Sequence, residues 1–365
     1  MVTNATSSTD VSNYSPKPTA ITCFGFVVAM LLLIYLGAWA ATAILLSNQA
    51  DAWIESQRRN GLHFQYGEPI FSGFPATVVI TYPDLNVTSA TSPIGWSWAT
   101  PALSVSAQTL FLNKLSFNLT GAHTIAIPTA SAPNLNLTTG NANIDLAFDS
   151  NGVISFASLS MSKLIATWST QDVPLLNLSE GRFSLHSKMS TGSQKNSSMF
   201  ALKLRNLRFS EVFSAPFEPT IEKIELVLET HIPSTTRPLA ESLQAWRDNG
   251  DVIELREIDI VWPPISVTGT GTVTLDDKLQ PVGTFNAKIQ GFFETLDTLA
   301  AEGLVRSRDV SMAKIVLGLL TRAPPNGGPP ELSISISIQD KNLYAGPVML
   351  MELPTVAWPN RNTRP

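Results

Sequence analysis

Glu257 and Asp259 stand two residues apart in a stretch of alternating polarity. On a strand this spacing puts both carboxylates on one face, where two acids could run hydrolysis by general acid–base chemistry. The plainer reading of such a pair is a solvated strand face, and it is the stronger of the two. Asp276 and Asp277 form a second acidic pair, which fits ordinary turn chemistry. The four histidines, His63, His123, His186 and His231, show no His-Glu-x-x-His or comparable ligand spacing. His186 falls on the polar side of its alternation and reads as a solvated surface residue. No Gly-x-Ser-x-Gly elbow is present. Gly269-Thr270-Gly271 lacks the third glycine and the following helix of a phosphate loop, so it reads as a strand thinned for a bulge or close packing. Cys23 is the only cysteine, which leaves no disulfide and no cysteine metal site within one chain. The residues thus assign no catalytic, cofactor-binding or metal position and imply no cofactor. Ligand-binding residues stay unassigned.

The elements that carry these residues are of two kinds. From Leu62 onward the hydrophobic pattern has period two, the mark of half-buried strands. Ala142, Ile144, Leu146 and Phe148 alternate with smaller or polar residues, as do Phe200, Leu202 and Leu204, and Ile224, Leu226 and Leu228. Between 265 and 275 Ile265, Val267, Val273 and Leu275 share one face, and four threonines share the other. Turn residues at Asn151-Gly152, Asp276-Asp277-Lys278 and 339–342 make antiparallel neighbours of these runs. Three helices interrupt them, at 238–249, 292–302 and 307–320. The third carries so wide an apolar face that it needs a sheet, a partner or a ligand to cover it. The fold expected is mainly β with a few helices (α+β), an N-terminal transmembrane helix followed by an extended, curved antiparallel sheet. No fixed-period repeat is present. The chain divides into a tail at 1–18, the helix at 19–60, an antiparallel β-rich region at 61–235, and a mixed region at 236–365 completing the same or a second β domain.

The helix at 19–60 sets the context for the rest. No charged residue lies between Lys17 and Asp51. A run this long satisfies its backbone in lipid only as a helix. Nothing breaks the helix before Asn60-Gly61, a left-handed stop, so it is expected to span and then emerge as one piece. A retained anchor is the stronger reading; a cleaved signal, with 38–40 as its small-residue site, is the alternative. The basic residues Lys17, Arg58 and Arg59 do not decide orientation, because long domains translocate largely regardless of charge. The net charge of −5, with only 15% charged residues, speaks against a nucleic-acid partner. Sequons at Asn86, Asn118, Asn136 and Asn177 arise by chance in a chain so rich in Asn, Ser and Thr.

Several segments together carry a family resemblance. Ser72-Gly73-Phe74-Pro75 is followed by a strand and Tyr82-Pro83-Asp84-Leu85. Later come Ile258-Asp259-Ile260-Val261-Trp262, 271–276, Gln280-Pro281-Val282-Gly283, 343–347 and Leu353-Pro354. In these the chain resembles the bacterial family of domain of unknown function 2125. The resemblance implies a bacterial protein, largely of the alpha class of proteobacteria. It also implies a single-pass anchor in the inner membrane and a C-terminal domain in the periplasm. It carries over no catalytic residue. Ala76-Thr77 departs from the family pattern, which prefers an aromatic and a basic residue there, so no anion-binding role is transferred.

The function expected is that of a non-enzymatic, membrane-anchored envelope protein that binds or shields lipid or another apolar ligand on a one-sided β surface. The alternative is a scaffold that binds an envelope protein. A carboxylate hydrolase built on Glu257 and Asp259 is remote.

Overall fold

The computed structural model describes residues 20–89, 95–109, 111–126, 134–170, 173–188, 197–210, 217–231, 239–322 and 327–358. The tail expected at 1–18 lies outside them. So does much of the proline-rich loop before the last strands.

Helix α1 (Ala20–Arg59) is continuous over 40 residues. It stops where expected: Gly61 takes φ 88°, and the Asn60 and Gly61 amides bond back to the Gln57 and Arg58 carbonyls. It is also the only helix long and apolar enough to cross a membrane among the described residues.

The strands form one antiparallel sheet. β1 (Leu62–Gln65) and β2 (Ile70–Ser72) lie end to end along β3 (Thr77–Ser89), which pairs with β4 (Trp96–Gln108). Here the sheet splits into two tracks. One runs through β5 (Phe111–Asn118) and β8 (Asn141–Phe148), the other through β6 (Gly121–Ala126) and β7 (Leu135–Thr139). Both rejoin on the long β9 (Ile154–Trp168). A meander follows: β10 (Pro174–Lys188), β11 (Ser197–Phe209), β12 (Thr220–His231), β13 (Ile253–Trp262), β14 (Ile265–Leu275) and β15 (Pro281–Gln290). β16 (Leu332–Gln339), β17 (Asn342–Ala345) and β18 (Val348–Glu352) complete it. The sheet crosses the sequence division at 235/236 without a break, because β12 and β13 pair from Lys223↔Val261 to Thr230↔Ile253.

The expected turns close these hairpins. Asp276 accepts hydrogen bonds from the Lys278 and Gln280 amides, and Asp340 and Lys341 both take the left-handed φ of a tight two-residue turn. Helix α2 (Leu239–Asp248) fills the β12–β13 connection and buries Trp246. α3 (Phe292–Ala301) and α4 (Ser307–Leu320) follow β15 and pack on each other.

Strict alternation does not hold throughout. Lys163 and Asn206 adopt φ 51°, in the strands on either side of Ser179, and Asp84 adopts φ 49° in β3. A left-handed residue within a strand reverses the pleat, so the next side chain returns to the face just left. Apolar residues therefore recur at a spacing of three across the reversals at Lys163 and Asn206, Met161 with Leu164 and Leu204 with Leu207, and Ile221 and Ile224 of β12 stand opposite the latter two. All six share one cluster around Leu178. A Cβ on Gly181 would meet Leu178, Met161 and Leu204, which puts these neighbours on the same face.

Candidate functional site

Following the register from strand to strand shows what the sheet presents. Ile80 pairs with Val105, then the line continues through Phe117, Ile144, Leu159 and Phe183. It goes on through Leu202, Leu226, Ile258, Gly269, Ala287 and Ile334. No polar side chain interrupts this row. At strand spacing it is about 50 Å long. On the other track a second row runs Phe64, Val87, Trp98, Ile125, Leu135 and Trp168.

One position along, the opposite face is polar from end to end. Thr81, Ser104, Asn118, Asn143, Ser160 and Arg182 form its first half, and Lys203, Glu225, Asp259, Thr268, Lys288 and Ser333 its second. Hydroxyl and amide pairs cross the first half, such as Thr81 with Ser104 at 2.8 Å and Ser116 donating to Asp145 at 2.6 Å. Ion pairs cross the second: Arg205 and Lys203 with Glu225, Lys223 with Asp259, and Arg256 with Glu229. A hydrogen bond from Ser197, with Arg256 beside it, holds the Glu229 carboxyl below the usual carboxylate range.

The apolar face is covered only in places. Under α1, Val78 and Ile80 are 0% and 1% exposed, the only large side chains so fully buried among the described residues. They pack with Ala43 and Leu46 of the helix. In the middle of the same row Phe183 is 39% exposed, and Leu202, Leu226 and Ile258 are only half-buried. At the far end α3 touches β14 and buries Phe292. α1 thus closes one end of the row and leaves its centre open. The glycines expected as thin points act by close packing: a Cβ on Gly271 would collide with the Phe285 ring, and one on Gly269 would meet the Asn286 carbonyl at 2.5 Å.

An apolar groove is one form the expected one-sided surface could take. One depression, of about 380 Å³, lies on the apolar side between α1 and Phe71, but two others open on the polar side. One of about 550 Å³ is lined by Glu257, Asp259, Thr268, Thr270, Lys288 and Ser333. Another of about 560 Å³ is lined by Ser116, Asp145, Ser158, Arg182, Ser184 and His186. The apolar face is an open strip, because its large side chains fill the spaces between strands that small hydroxyl residues leave empty on the reverse.

The acids singled out by spacing do converge. Regular alternation along β13 puts Glu257 on the same face as Asp259, and the neighbouring strand adds Glu225, which sequence spacing did not reveal. The carboxylate oxygens of all three lie within 4.8 Å of one another. Lys223 and Arg205 pair with two of them, and Glu257 is exposed, so the group forms part of the ionic ladder on the polar face. Asp277 is exposed beside Arg247, as a turn residue. The four histidines lie on four different strands. His63 and His186 are exposed, and His186 rests on Phe156. His123 is buried against Trp98, and its Nε2 donates to the Leu119 carbonyl.

The strongest local architecture is the seat of α1. Tyr35 donates to the Pro75 carbonyl at 2.7 Å, the Trp39 indole to the Thr77 carbonyl at 2.8 Å, and Thr42 to the Thr109 carbonyl at 2.8 Å. These residues stand four and three apart, one stripe of the helix. The turn they grip is Ser72-Gly73-Phe74-Pro75. Gly73 takes φ 93°, with Thr77 and Val79 so close that a Cβ has no room, and Phe74 meets Trp39 edge-on. Further along, Tyr66 and Tyr82 stack edge-on, and burial near Asp51 pushes the Tyr82 hydroxyl up to about 12. The apolar run of α1 therefore divides. Its first part, to about residue 34, makes none of these bonds and is about 22 Å long, while the stretch from Tyr35 onward meets the sheet and its turn. Contact with the sheet thus begins 16 residues before the first charge, Asp51.

The family model described as "Uncharacterized protein conserved in bacteria (DUF2125)" matches residues 39–354. The chain belongs to the DUF2125 family. The match begins at Trp39, within the stripe by which α1 grips the sheet, and covers all of the sheet. No curated protein and no solved structure matches the chain. The segments that carried the DUF2125 resemblance have identifiable jobs. Gly73–Pro75 seats the helix. Gln280 is buried and clamps the C-terminal segment, donating to the Val356 carbonyl and accepting from the Val356 amide, while the Trp358 indole donates to the Leu279 carbonyl. Trp262 donates to the Glu218 carbonyl and closes the end of β13.

Proposed function

We propose that this DUF2125 protein is a non-enzymatic, membrane-anchored envelope protein that shelters the acyl chains of lipid on the apolar face of its sheet. The observation that carries this reading is the unbroken apolar row from Ile80 to Ile334, roofed by α1 at one end and bare at its centre. A row of aliphatic and aromatic side chains without polar members suits methylene chains and offers no hydrogen bond to a polar ligand. α1 serves as a retained single-pass anchor: the docking of Trp39 and Thr42 ties the helix into the fold, so cleavage near residue 40 would cut through its seat. The anchor lies in the bacterial inner membrane and the sheet in the periplasm, as the family resemblance implies.

The test is site-specific photocrosslinking in the full chain, because removing α1 would bare Val78 and Ile80. A benzophenone side chain replaces Leu202 or Phe183 on the apolar face, and Lys203 on the polar face. Lipid adducts at the first two sites and none at the third are expected. Equal labelling of both faces, or protein adducts alone, would refute the lipid reading; the latter would favour a scaffold.

A further inference from the structure

Helix α4 has its apolar side turned outward. Met312, Ile315, Val316, Leu319 and Leu320 recur at helical spacing and are 65%, 68%, 54%, 83% and 60% exposed. Its inner side is held by other residues: Val310 is buried, Lys314 pairs with Asp297 of α3 at 2.5 Å, and Gly318 lies over Phe293. The helix is thus seated in the fold with five large aliphatic side chains facing away from it. The bare patch amounts to several hundred Å², the upper end of what a soluble monomer leaves open. Basic residues bracket it. Arg306 and Arg308 are exposed at its start and Arg322 just past its end, and none has an ion-pair partner among the described residues. Arg308 falls on the same side as the aliphatic stripe, and Asp309 is the one acid on the helix.

We propose that α4 lies in a lipid–water interface, its aliphatic stripe sunk among acyl chains and its arginines at the anionic headgroups. An apolar stripe with cationic ends is the pattern of helices that lie in that plane. The chain supplies the lipid surface itself, since α1 tethers it to a bilayer and raises the effective concentration of lipid around every other part. The inference rests on the anchor reading of α1, but not on the acyl-chain reading of the sheet.

The test uses the full chain with Cys23→Ser, reconstituted in vesicles of phosphatidylethanolamine and phosphatidylglycerol. Single cysteines carrying a nitroxide replace Ile315, Leu319 or, as a control on the polar face of the sheet, Thr270. All three positions are exposed, so labelling leaves the core intact. Flotation first establishes anchorage. Collision with oxygen, which concentrates in lipid, is then compared with collision with a water-soluble nickel chelate. The expected result is a several-fold excess of oxygen at 315 and 319 and an excess of chelate at 270. Arg308→Glu should lower the oxygen excess at 319 in these vesicles and leave it unchanged in neutral ones. Chelate-accessible labels at 315 and 319, or labels shielded from both reagents by protein, would overturn the proposal. A chain that does not float refutes the anchor and this inference together; one that floats with water-exposed labels refutes the inference alone.

Discussion

Ile80 and Phe183 belong to one row of one sheet face, yet truncating them should have unequal consequences. Ile80 is 1% exposed beneath α1. Ile80→Ala removes buried methylenes and leaves a hole under a helix that cannot collapse into it, for a loss of about 3–4 kcal/mol. Phe183 is 39% exposed between Leu159 and Leu202, with the Phe200 ring centroid 6.5 Å away. Phe183→Ala forfeits the buried part of the ring and leaves no cavity, because water or ligand fills the space, so the loss is about 1.5 kcal/mol. A charge sharpens the contrast. Phe183→Asp on an open face adds only about 1 kcal/mol, whereas a carboxylate forced into a dry core costs several. The assay is urea unfolding of the full chain in a nonionic detergent, followed by the β circular-dichroism signal, with the slopes compared to verify a common transition. If Phe183→Ala costs as much as Ile80→Ala, or Phe183→Asp does not fold, the centre of the row is a closed core and the open-strip argument fails.

Other outcomes follow from particular contacts. Trp39→Phe keeps the ring but loses the bond to the Thr77 carbonyl; it should loosen α1 by about 1 kcal/mol, seen as faster proteolysis between residues 39 and 61 while the strands stay protected. Gly271→Val should destabilise by more than about 2 kcal/mol, because its Cβ would meet the Phe285 ring and the Thr284 carbonyl; Phe285→Ala in the same chain should restore part of the loss. Glu229 has a lowered pKa, so its contribution is present above the ordinary glutamate value of 4.5 and is lost as pH falls through the folded value. Glu229→Gln should therefore flatten the acid limb of a stability–pH curve, and an unchanged limb would contradict the Ser197 and Arg256 contacts. Gln280→Ala should release residues 353–358, detected as rapid amide exchange at Val356, whose amide bonds to the Gln280 side chain.

Much of this architecture was legible in local pattern. Helix α1 runs between the limits that the uncharged stretch and Asn60-Gly61 set, because helix continuity and termination depend on residues only a few positions apart. The clean alternations at 142–148, 200–204, 224–228 and 265–275 are strands, and period two tells which side chains share a face. α4 occupies the residues expected, and its wide apolar face is real.

Other features needed contacts between distant residues. The pleat reversals at Asp84, Lys163 and Asn206 interrupt strict alternation; a spacing of three between apolar residues, as in Met161 and Leu164, was the available signal. Glu225 joins Glu257 and Asp259 only because β12 pairs with β13 at that register. The uncharged run of α1 reads as one membrane span, since hydropathy cannot tell lipid from a sheet; only the bonds from Tyr35, Trp39 and Thr42 show which part of it the sheet covers.

The sequence by itself determined that this protein is a long apolar helix followed by two-faced strands, since both properties arise from periodicity within short segments. Tertiary structure alone decided that the apolar faces line up across the sheet into one row, and that this row is roofed by α1 at one end and bare at its centre. Register and cover are set by side chains up to hundreds of residues apart, and no local pattern encodes them.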